Sequence, residues 1–160
     1  MNREIVKLLN ISKKYSRGNK DISVLKKINI KINKGELISL IGPSGSGKST
    51  LLHIIALLDQ PTSGDIYFNN RKIIKSEDHL KDIIRSKKIS IIYQQNNLLS
   101  DFTALENIMI PLLNHGHKRQ DSINKGRKFL SLVGLTKREN HFPSELSGGE
   151  QQRVAVARAL

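Results

Sequence analysis

The sequence predicts an α/β fold that carries a glycine-rich loop. Segments rich in branched apolar residues alternate with segments of helical periodicity along the chain. A glycine-rich segment, GPSGSGKST, joins an apolar run to an apolar helical pattern. The composition, 38% hydrophobic and 26% charged, is that of a folded chain, and 160 residues suit one domain.

The first part of the chain is predicted to form strands. Residues 5–11 and residues 25–32 are rich in isoleucine and leucine, with a polar turn at residues 16–21 between them. A second turn at residues 33–36 leads into the apolar run LISLI at residues 37–41. Because this run lacks alternation, it predicts a strand that is buried on both faces.

The remainder alternates helices with short strands. Three segments have helical character: residues 48–58, 76–87 and 120–133. Ser76 is predicted to cap the second, and Gly134 to end the third. Thr103 and Glu106 have the spacing of a capping box, and a last helix is predicted from about Gly149. Two short apolar runs predict strands: residues 65–68 and 89–93.

The chain is strongly basic, with a formal net charge of +13. Such an excess suits a phosphate-bearing ligand, an anionic membrane surface or nucleic acid, and it equally suits a solvated lysine-rich surface. The aromatic content of 4% argues against a surface on which the bases of single-stranded nucleic acid stack. Cysteine is absent, which excludes disulfides. Residues 1–15 lack the apolar core of a signal peptide, and no apolar run is long enough to cross a bilayer.

The glycine-rich segment has the chemistry of a nucleotide-binding loop. Gly42, Gly47, Lys48 and Ser49 satisfy G-x-x-x-x-G-K-[ST]. Glycines let successive backbone N–H groups point at phosphate oxygens, and the following helix presents its positive end. Lys48 supplies a charge for the β- and γ-phosphates, and the Ser49 hydroxyl can ligate Mg²⁺. The predicted nucleotide-binding residues in this segment are Gly42, Pro43, Ser44, Gly45, Ser46, Gly47, Lys48, Ser49 and Thr50.

A second glycine-containing motif, LSGGEQ, lies near the end of the sequence. Ser147, Gly148 and Gly149 offer a hydroxyl and bare backbone N–H groups at a predicted helix N-terminus, which is an anion site. Alone, this pattern is equally typical of a capped turn.

Together, the two motifs resemble the nucleotide-binding domain of ABC transporters. In that family the phosphate loop of one subunit and the signature motif of a second enclose ATP and Mg²⁺, head to tail. The resemblance implies a P-loop NTPase fold with an N-terminal antiparallel β subdomain and a helical signature subdomain, as one ATP-binding domain over residues 1–160. It implies contact with the partner's ATP for Leu146, Ser147, Gly148, Gly149, Glu150 and Gln151.

The resemblance extends to two further residues. Tyr15 is similar to the aromatic side chain that stacks on adenine in the family. Gln94 is similar to the Q-loop glutamine that reaches the Mg²⁺ and the attacking water, although the adjacent Gln95 leaves the position open by one residue. The resemblance therefore implies catalytic roles for Lys48 and Gln94, and Mg²⁺ ligation by Ser49 and Gln94.

Residues 49–70 and 98–113 are most similar to the LolD-type ATPases of bacterial lipoprotein-releasing (LolCDE-like) systems. This resemblance implies ATP-driven lipoprotein release by two copies of the chain with LolC/LolE-like permease subunits. The location would be the cytoplasmic face of the inner membrane, with no nucleic acid bound. MacB-type and FtsE-type ATPases are the alternative. A DNA-associated ABC ATPase is disfavoured, because chromosome-maintenance members insert a long coiled coil between the motifs and no heptad run stands here.

In the family, an Asp-Glu pair and a later histidine follow the signature, and no residue matches them here. All five histidines precede the signature. The resemblance therefore implies an incomplete central sheet, in which residues 37–41 lack their neighbouring strands. It further implies that the 160 residues alone are unstable and inactive, so an inactive gene fragment is another interpretation.

Overall fold

A computed structural model describes residues 3–18 and 20–160, which fold as two compact units, Met1–Arg85 and Ser86–Leu160. The elements of the first unit are β1 (Glu4–Arg17), β2 (Lys20–Asn33), α1 (Lys48–Ile55), β3 (Ser63–Phe68), β4 (Arg71–Ile73) and α2 (Asp78–Lys88), whose last turn enters the second unit. The second unit contains α3 (Ala104–Asn114), α4 (Arg119–Leu132), α5 (Gly148–Ala159) and two 3₁₀ turns (Thr136–Arg138 and Pro143–Glu145).

The first unit is organised by an antiparallel sheet of order β2-β1-β3-β4. Leu8 of β1 pairs with Ile30 of β2 on one side and with Ile66 of β3 on the other, and its side chain is fully buried. The strands predicted at residues 5–11, 25–32 and 65–68 are thus confirmed. The turn predicted at residues 16–21 falls partly on Asn19, which lies outside the described residues.

Strand β4 was not predicted. Asn69 and Asn70 both have positive φ (48° and 64°), which is the backbone of a two-residue hairpin turn. The turn folds Arg71–Ile73 back onto β3.

Two predicted strands are wrong. Residues 37–41 and 89–93 form no strand, and Leu37 and Ile41 are 100% and 90% exposed. Strands are held by ladder hydrogen bonds, and among the described residues the only ladders are those of β2 with β1, β1 with β3 and β3 with β4. Both apolar runs therefore lack a partner strand, which agrees with the expectation of an incomplete central sheet.

The second unit is a helical subdomain around an apolar core. Its buried members are Ala104, Leu105, Ile108, Met109, Leu130, Leu135, Leu146, Val154 and Ala157. Gly126 allows α3 and α4 to approach closely, because a Cβ there would lie 2.7 Å from Cδ1 of Leu105. Helix α4 ends as predicted at Gly134 (φ 73°), with Leu135 N donating to Leu130 O at 2.8 Å in a Schellman arrangement.

The predicted helix starts have mixed outcomes. The capping box of Thr103 and Glu106 at the start of α3 is confirmed. The cap at Ser76 is wrong, because α2 begins at Asp78 and Lys81 N donates to Glu77 O, which places Glu77 in the N-cap position. Within residues 3–18 and 20–160, none of the helices combines the length and the hydropathy that a bilayer crossing requires.

Candidate functional site

The phosphate loop is seated on the first unit through Gly47. This residue is the N-cap of α1 and has a left-handed backbone (φ 91°). A Cβ at this position would lie 2.9 Å from Cγ1 of Val24 and 3.0 Å from Cδ2 of Leu25, both on β2. Two independent reasons therefore favour glycine at position 47: the left-handed backbone conformation and the close contact with β2.

The N-terminus of α1 is open to an anion. Gly47 offers no side chain to cap the first turn, and that turn contains no acidic residue. The first N–H groups of a helix have no partner within the helix, and they carry the positive end of its dipole. Ser49 is exposed on this turn, and so is the loop before it from Gly42 to Ser46. The arrangement can bind phosphate oxygens through its backbone.

Lys48 folds back over its own loop. Its Nζ donates to Gly42 O at 2.7 Å and to Pro43 O at 2.6 Å. Both acceptors are neutral carbonyls, and none of the ion pairs within residues 3–18 and 20–160 involves this ammonium group. A phosphate oxygen is a stronger acceptor than a carbonyl, so an incoming phosphate would compete for the same hydrogens.

Tyr15 belongs to a polar cluster on β1. Its hydroxyl donates to Asp59 Oδ2 at 2.8 Å, and Lys13 Nζ lies 4.8 Å from the ring centroid. Lys13 also donates to Asp59 Oδ1 at 2.6 Å. Burial alone would raise the pKa of Asp59, but hydrogen bonds from Lys13, Tyr15 and Gln60 N outweigh it and hold the pKa below its ordinary value. The ring is therefore held by its hydroxyl while 43% of the residue stays exposed.

The signature motif forms the N-terminus of α5. Ser147 is the N-cap, and its Oγ accepts from Glu150 N at 3.3 Å. In return, Glu150 Oε2 accepts from Ser147 N and from Ser147 Oγ, each at 2.9 Å. Leu146 is buried in the core, and Gln151 Nε2 donates to Leu146 O and Pro143 O, which fixes the turn before the helix. Ser147, Gly148 and Gly149 are exposed.

Arg138, which no sequence motif indicated, also contacts this turn. Its Nε donates to Glu150 Oε1 at 2.9 Å, so one arginine and the two groups of Ser147 hold the same carboxylate. The pKa of Glu150 is lowered to about 2, first by the bond from the Ser147 backbone and then by the bonds from Arg138 and the Ser147 hydroxyl. Because the contact joins a 3₁₀ turn to a helix that starts ten residues further on, no local pattern predicts it.

Gln94 and Gln95 are both exposed in a bend of the second unit. The carbonyls directly after them are held by α5, because Arg158 Nη2 donates to Asn96 O at 3.0 Å and Nη1 donates to Asn97 O at 2.9 Å. Partial burial lowers the pKa of Arg158. The far end of the signature helix thus contacts the segment that contains the predicted Q-loop.

Asn107, a buried asparagine that no sequence motif indicated, holds the loop between the two glutamines and α3. The Asn107 side chain is fully buried, and its Oδ1 accepts from Leu99 N at 2.8 Å. Its Nδ2 donates to Leu99 O, Phe102 O and Thr103 O at 2.9–3.1 Å. These bonds fix a turn whose apolar side chains, Leu99 and Phe102, are exposed.

Comparison with known proteins decides the family. The ABC transporter family model matches residues 25–160. The chain belongs to the ABC transporter family.

Relatives within the ABC transporter family match the chain along its whole length. It is 48% identical over 160 residues to the lipoprotein-releasing system ATP-binding protein LolD of Rickettsia bellii (strain RML369-C), and it covers 70% of that protein. It is 49% identical over the same length to LolD of Rickettsia felis (strain ATCC VR-1525 / URRWXCal2), with the same coverage.

Solved structures of ABC cassettes share the fold. A dimeric structure of the ATP-binding cassette MJ0796 in a post-hydrolysis state, bound to ADP and Pi, matches with a TM-score of 0.91 and 43% identity. The match covers 98% of this chain and 69% of that one. The predicted P-loop NTPase fold of ABC type is therefore confirmed, and the family to which this chain belongs binds nucleotide and hydrolyses ATP.

Proposed function

We propose that this chain is the ATP-binding subunit of a lipoprotein-releasing ABC system. The observation that carries the proposal is the identity of 48–49% to LolD proteins over all 160 residues, which includes both nucleotide motifs. The geometry supports the proposal. In the first unit, Gly47 and Lys48 stand at the start of α1, which has no side-chain cap, and in the second unit the Ser147 turn is exposed. We assign residues 1–160 to one ATP-binding domain.

Each predicted site residue receives a role in this proposal. Backbone N–H groups of the loop from Gly42 to Thr50 bind the phosphates of ATP, and Lys48 leaves its two carbonyl acceptors to contact the β- and γ-phosphates. Tyr15 stacks on the adenine ring, a role that its anchored hydroxyl and partly exposed ring support.

The donor set fits Mg²⁺ only in company with the nucleotide. Ser49 offers an exposed hydroxyl oxygen, and Gln94 an exposed amide oxygen, both of the hard type that this ion prefers. No cluster of three His, Cys, Asp or Glu side chains that could hold a metal occurs in the described part of the chain. We therefore assign Ser49 and Gln94 as Mg²⁺ ligands beside phosphate oxygens. The ion would neutralise charge that develops on the transferred phosphoryl group.

The signature contacts ATP held by a second copy of the chain. In this arrangement the exposed turn of Ser147, Gly148 and Gly149 faces the γ-phosphate, and Gln94 orients the attacking water. The dimeric MJ0796 structures, at 42–43% identity, support a head-to-tail pair.

The remaining partners are LolC/LolE-like permease subunits at the cytoplasmic face of a bacterial inner membrane. Their contact is assigned to the turn of Leu99 and Phe102, because it exposes two apolar side chains on a backbone that Asn107 holds.

In the absence of such partners we expect these 160 residues to bind ATP with little or no turnover. Phosphoryl transfer depends on exact positioning of the nucleotide, and Leu37–Ile41, which leads into the phosphate loop, is unpaired.

Nucleotide binding tests the first step. Lys48→Ala is expected to weaken binding of MgATP to the full chain by at least about tenfold, the effect of losing a charge-assisted contact to phosphate. Lys34→Ala, which removes an exposed lysine ahead of the loop, is the matched control. Equal affinity of the Lys48→Ala and Lys34→Ala proteins, measured by calorimetry, would contradict the proposed site.

The cargo is tested separately. Vesicles with the matching membrane subunits and an acylated lipoprotein are expected to release the lipoprotein to a soluble acceptor when this subunit and MgATP are added. Release that does not depend on Lys48 would refute the assignment to lipoprotein transport.

A further inference from the structure

The signature turn contains a competition for one proton. The hydroxyl of Ser147 has a single hydrogen, and in this structure it is directed at Glu150 Oε2 at 2.9 Å. Contact with a γ-phosphate as a donor requires that hydrogen to turn away from the carboxylate. Glu150 therefore controls both the position of Ser147, through the bond to Ser147 N, and the availability of its hydroxyl.

Glu150 is in turn held from outside the motif. Arg138 Nε donates to Glu150 Oε1, the oxygen that Ser147 does not use. The two carboxylate oxygens are thus divided, one to the signature serine and one to the arginine. The groove beside them is lined by residues 134–138 together with Glu150 and Arg153, so this carboxylate is the acidic member of a basic surrounding.

The approach to the turn is open on its other side. A Cβ added at Gly148 would meet no heavy atom within 4 Å. Gln151 N donates to Ser147 O and Glu150 N donates to Ser147 Oγ, so the N–H groups of Gly148 and Gly149 are those that helix geometry leaves for an outside acceptor. Their direction depends on where Ser147 is held.

We propose that Arg138 is a positioning residue of the second half-site, which acts through Glu150 to fix Ser147 for contact with a nucleotide phosphate. The inference rests on the proposed function for its ligand, MgATP on a second copy of the chain. Its structural part, the effect of Arg138 on Ser147, stands apart from that function. Arg138 itself is not assigned a contact with the phosphate.

The chain offers a matched control. Arg127 Nε and Nη2 donate to Glu139 Oε2 and Oε1 at 2.8 and 3.1 Å, so this is a second partly exposed arginine–glutamate pair in the same unit. Glu139 lies outside the signature. Arg138→Met and Arg127→Met therefore remove the same type of ion pair and keep an apolar side chain of similar reach.

The first measurement is amide hydrogen exchange of Ser147 in the full chain by NMR, without nucleotide. Arg138→Met is expected to speed exchange about two- to fivefold, the range for loss of a partly exposed ion pair, and Arg127→Met to leave it unchanged. Arg138→Lys, which keeps a donor, is expected to restore most of the protection. Unchanged exchange in Arg138→Met, or equal loss in Arg127→Met, overturns the positioning role.

The second measurement is MgATP-driven association of two copies, followed by light scattering. Arg138→Met is expected to weaken this association by a similar factor. Adding Arg138→Met to a chain that already carries Glu150→Ala is expected to cause no further loss, because the arginine acts through that carboxylate. A full additional loss in the Glu150→Ala background would mean direct phosphate contact and would overturn the proposal. Absence of association in the unsubstituted chain would count against the proposed function, while the exchange result would still decide the role of Arg138.

Discussion

Replacement of Asn107 is expected to destabilise the helical unit through the loop and not through the core. Asn107→Leu keeps the branched shape of the side chain but removes one acceptor and the donors to three carbonyls. Leu99 O keeps a bond from Phe102 N, and Thr103 O keeps the bond from the backbone N–H of residue 107. The Leu99 N–H and the Phe102 carbonyl lose the hydrogen bond to Asn107, and within the described residues they have no such second bond to replace it.

The magnitude follows from these two groups. An orphaned buried polar group costs about 1–3 kcal/mol, and because the hydrogen bonds to both groups are only partly buried, each loss falls at the lower end of that range. We therefore expect Asn107→Leu to lower the free energy of unfolding by about 2–3 kcal/mol. Asn114→Leu, on an exposed position of the same helix, is the control and is expected to change it by less than about 0.5 kcal/mol.

Asn107→Asp separates the hydrogen-bond pattern from the shape. The new carboxyl would place an oxygen where Nδ2 now donates to three carbonyls, so its pKa should rise above that of an unfolded aspartate. A group with a raised pKa binds more protons in the folded state, so stability falls as pH rises through the two pKa values. The difference from the unsubstituted chain should therefore grow between pH 4 and pH 7.

Urea unfolding measures the global effect, and hydrogen exchange of the Leu99 amide measures the local one. The expected result is a lower urea midpoint together with faster exchange at Leu99 in Asn107→Leu. If Asn107→Leu and Asn114→Leu unfold alike, or if the Leu99 amide keeps its protection, the account of Asn107 as the support of this turn is refuted.

Three further predictions concern the signature turn and its neighbours. Ser147→Arg is expected to bind MgATP with unchanged affinity but to abolish association of two copies, and normal association on size-exclusion chromatography would show that the turn is not at the interface. The pKa of Glu150 is lowered to about 2 from its ordinary value of 4.5, so the helix cap that its carboxylate provides should be fully present above pH 4.5 and be lost as pH falls toward 2. In an NMR titration the chemical shift of the Ser147 amide should follow the same course. A titration midpoint near pH 4.5 would contradict the hydrogen bonds described. Gly134→Ala is expected to lower the free energy of unfolding by about 1 kcal/mol, because φ is 73° while the space around the Cβ is free, and an unchanged urea midpoint would contradict that strain.

The parts of the fold that the sequence predicts well are those with local causes. The capping box at Thr103, the helix end at Gly134 and the phosphate loop each depend on residues within a few positions of one another. Residues 37–41 show the limit, because an apolar run indicates burial but does not supply the neighbouring strand that a ladder needs.

The candidate site follows the same division. Lys48 and Ser147 are found from motifs, whereas Arg138 and Asn107 act through contacts that only the folded helical unit creates. Their residue types carry no signal by themselves, since an arginine or an asparagine in a helical unit is most often an ordinary surface residue.

The attachment of Arg158 gives α5 a second role. Its twelve residues form a rigid rod of about 18 Å, with the Ser147 turn at one end and the carbonyls of Asn96 and Asn97 gripped near the other. Because the helix is one continuous element, a displacement of α5 along its axis would change both the Ser147 turn and the hydrogen bonds to the backbone after Gln95. The position of the signature serine and the path of the backbone after the two glutamines are therefore tied to the same helix.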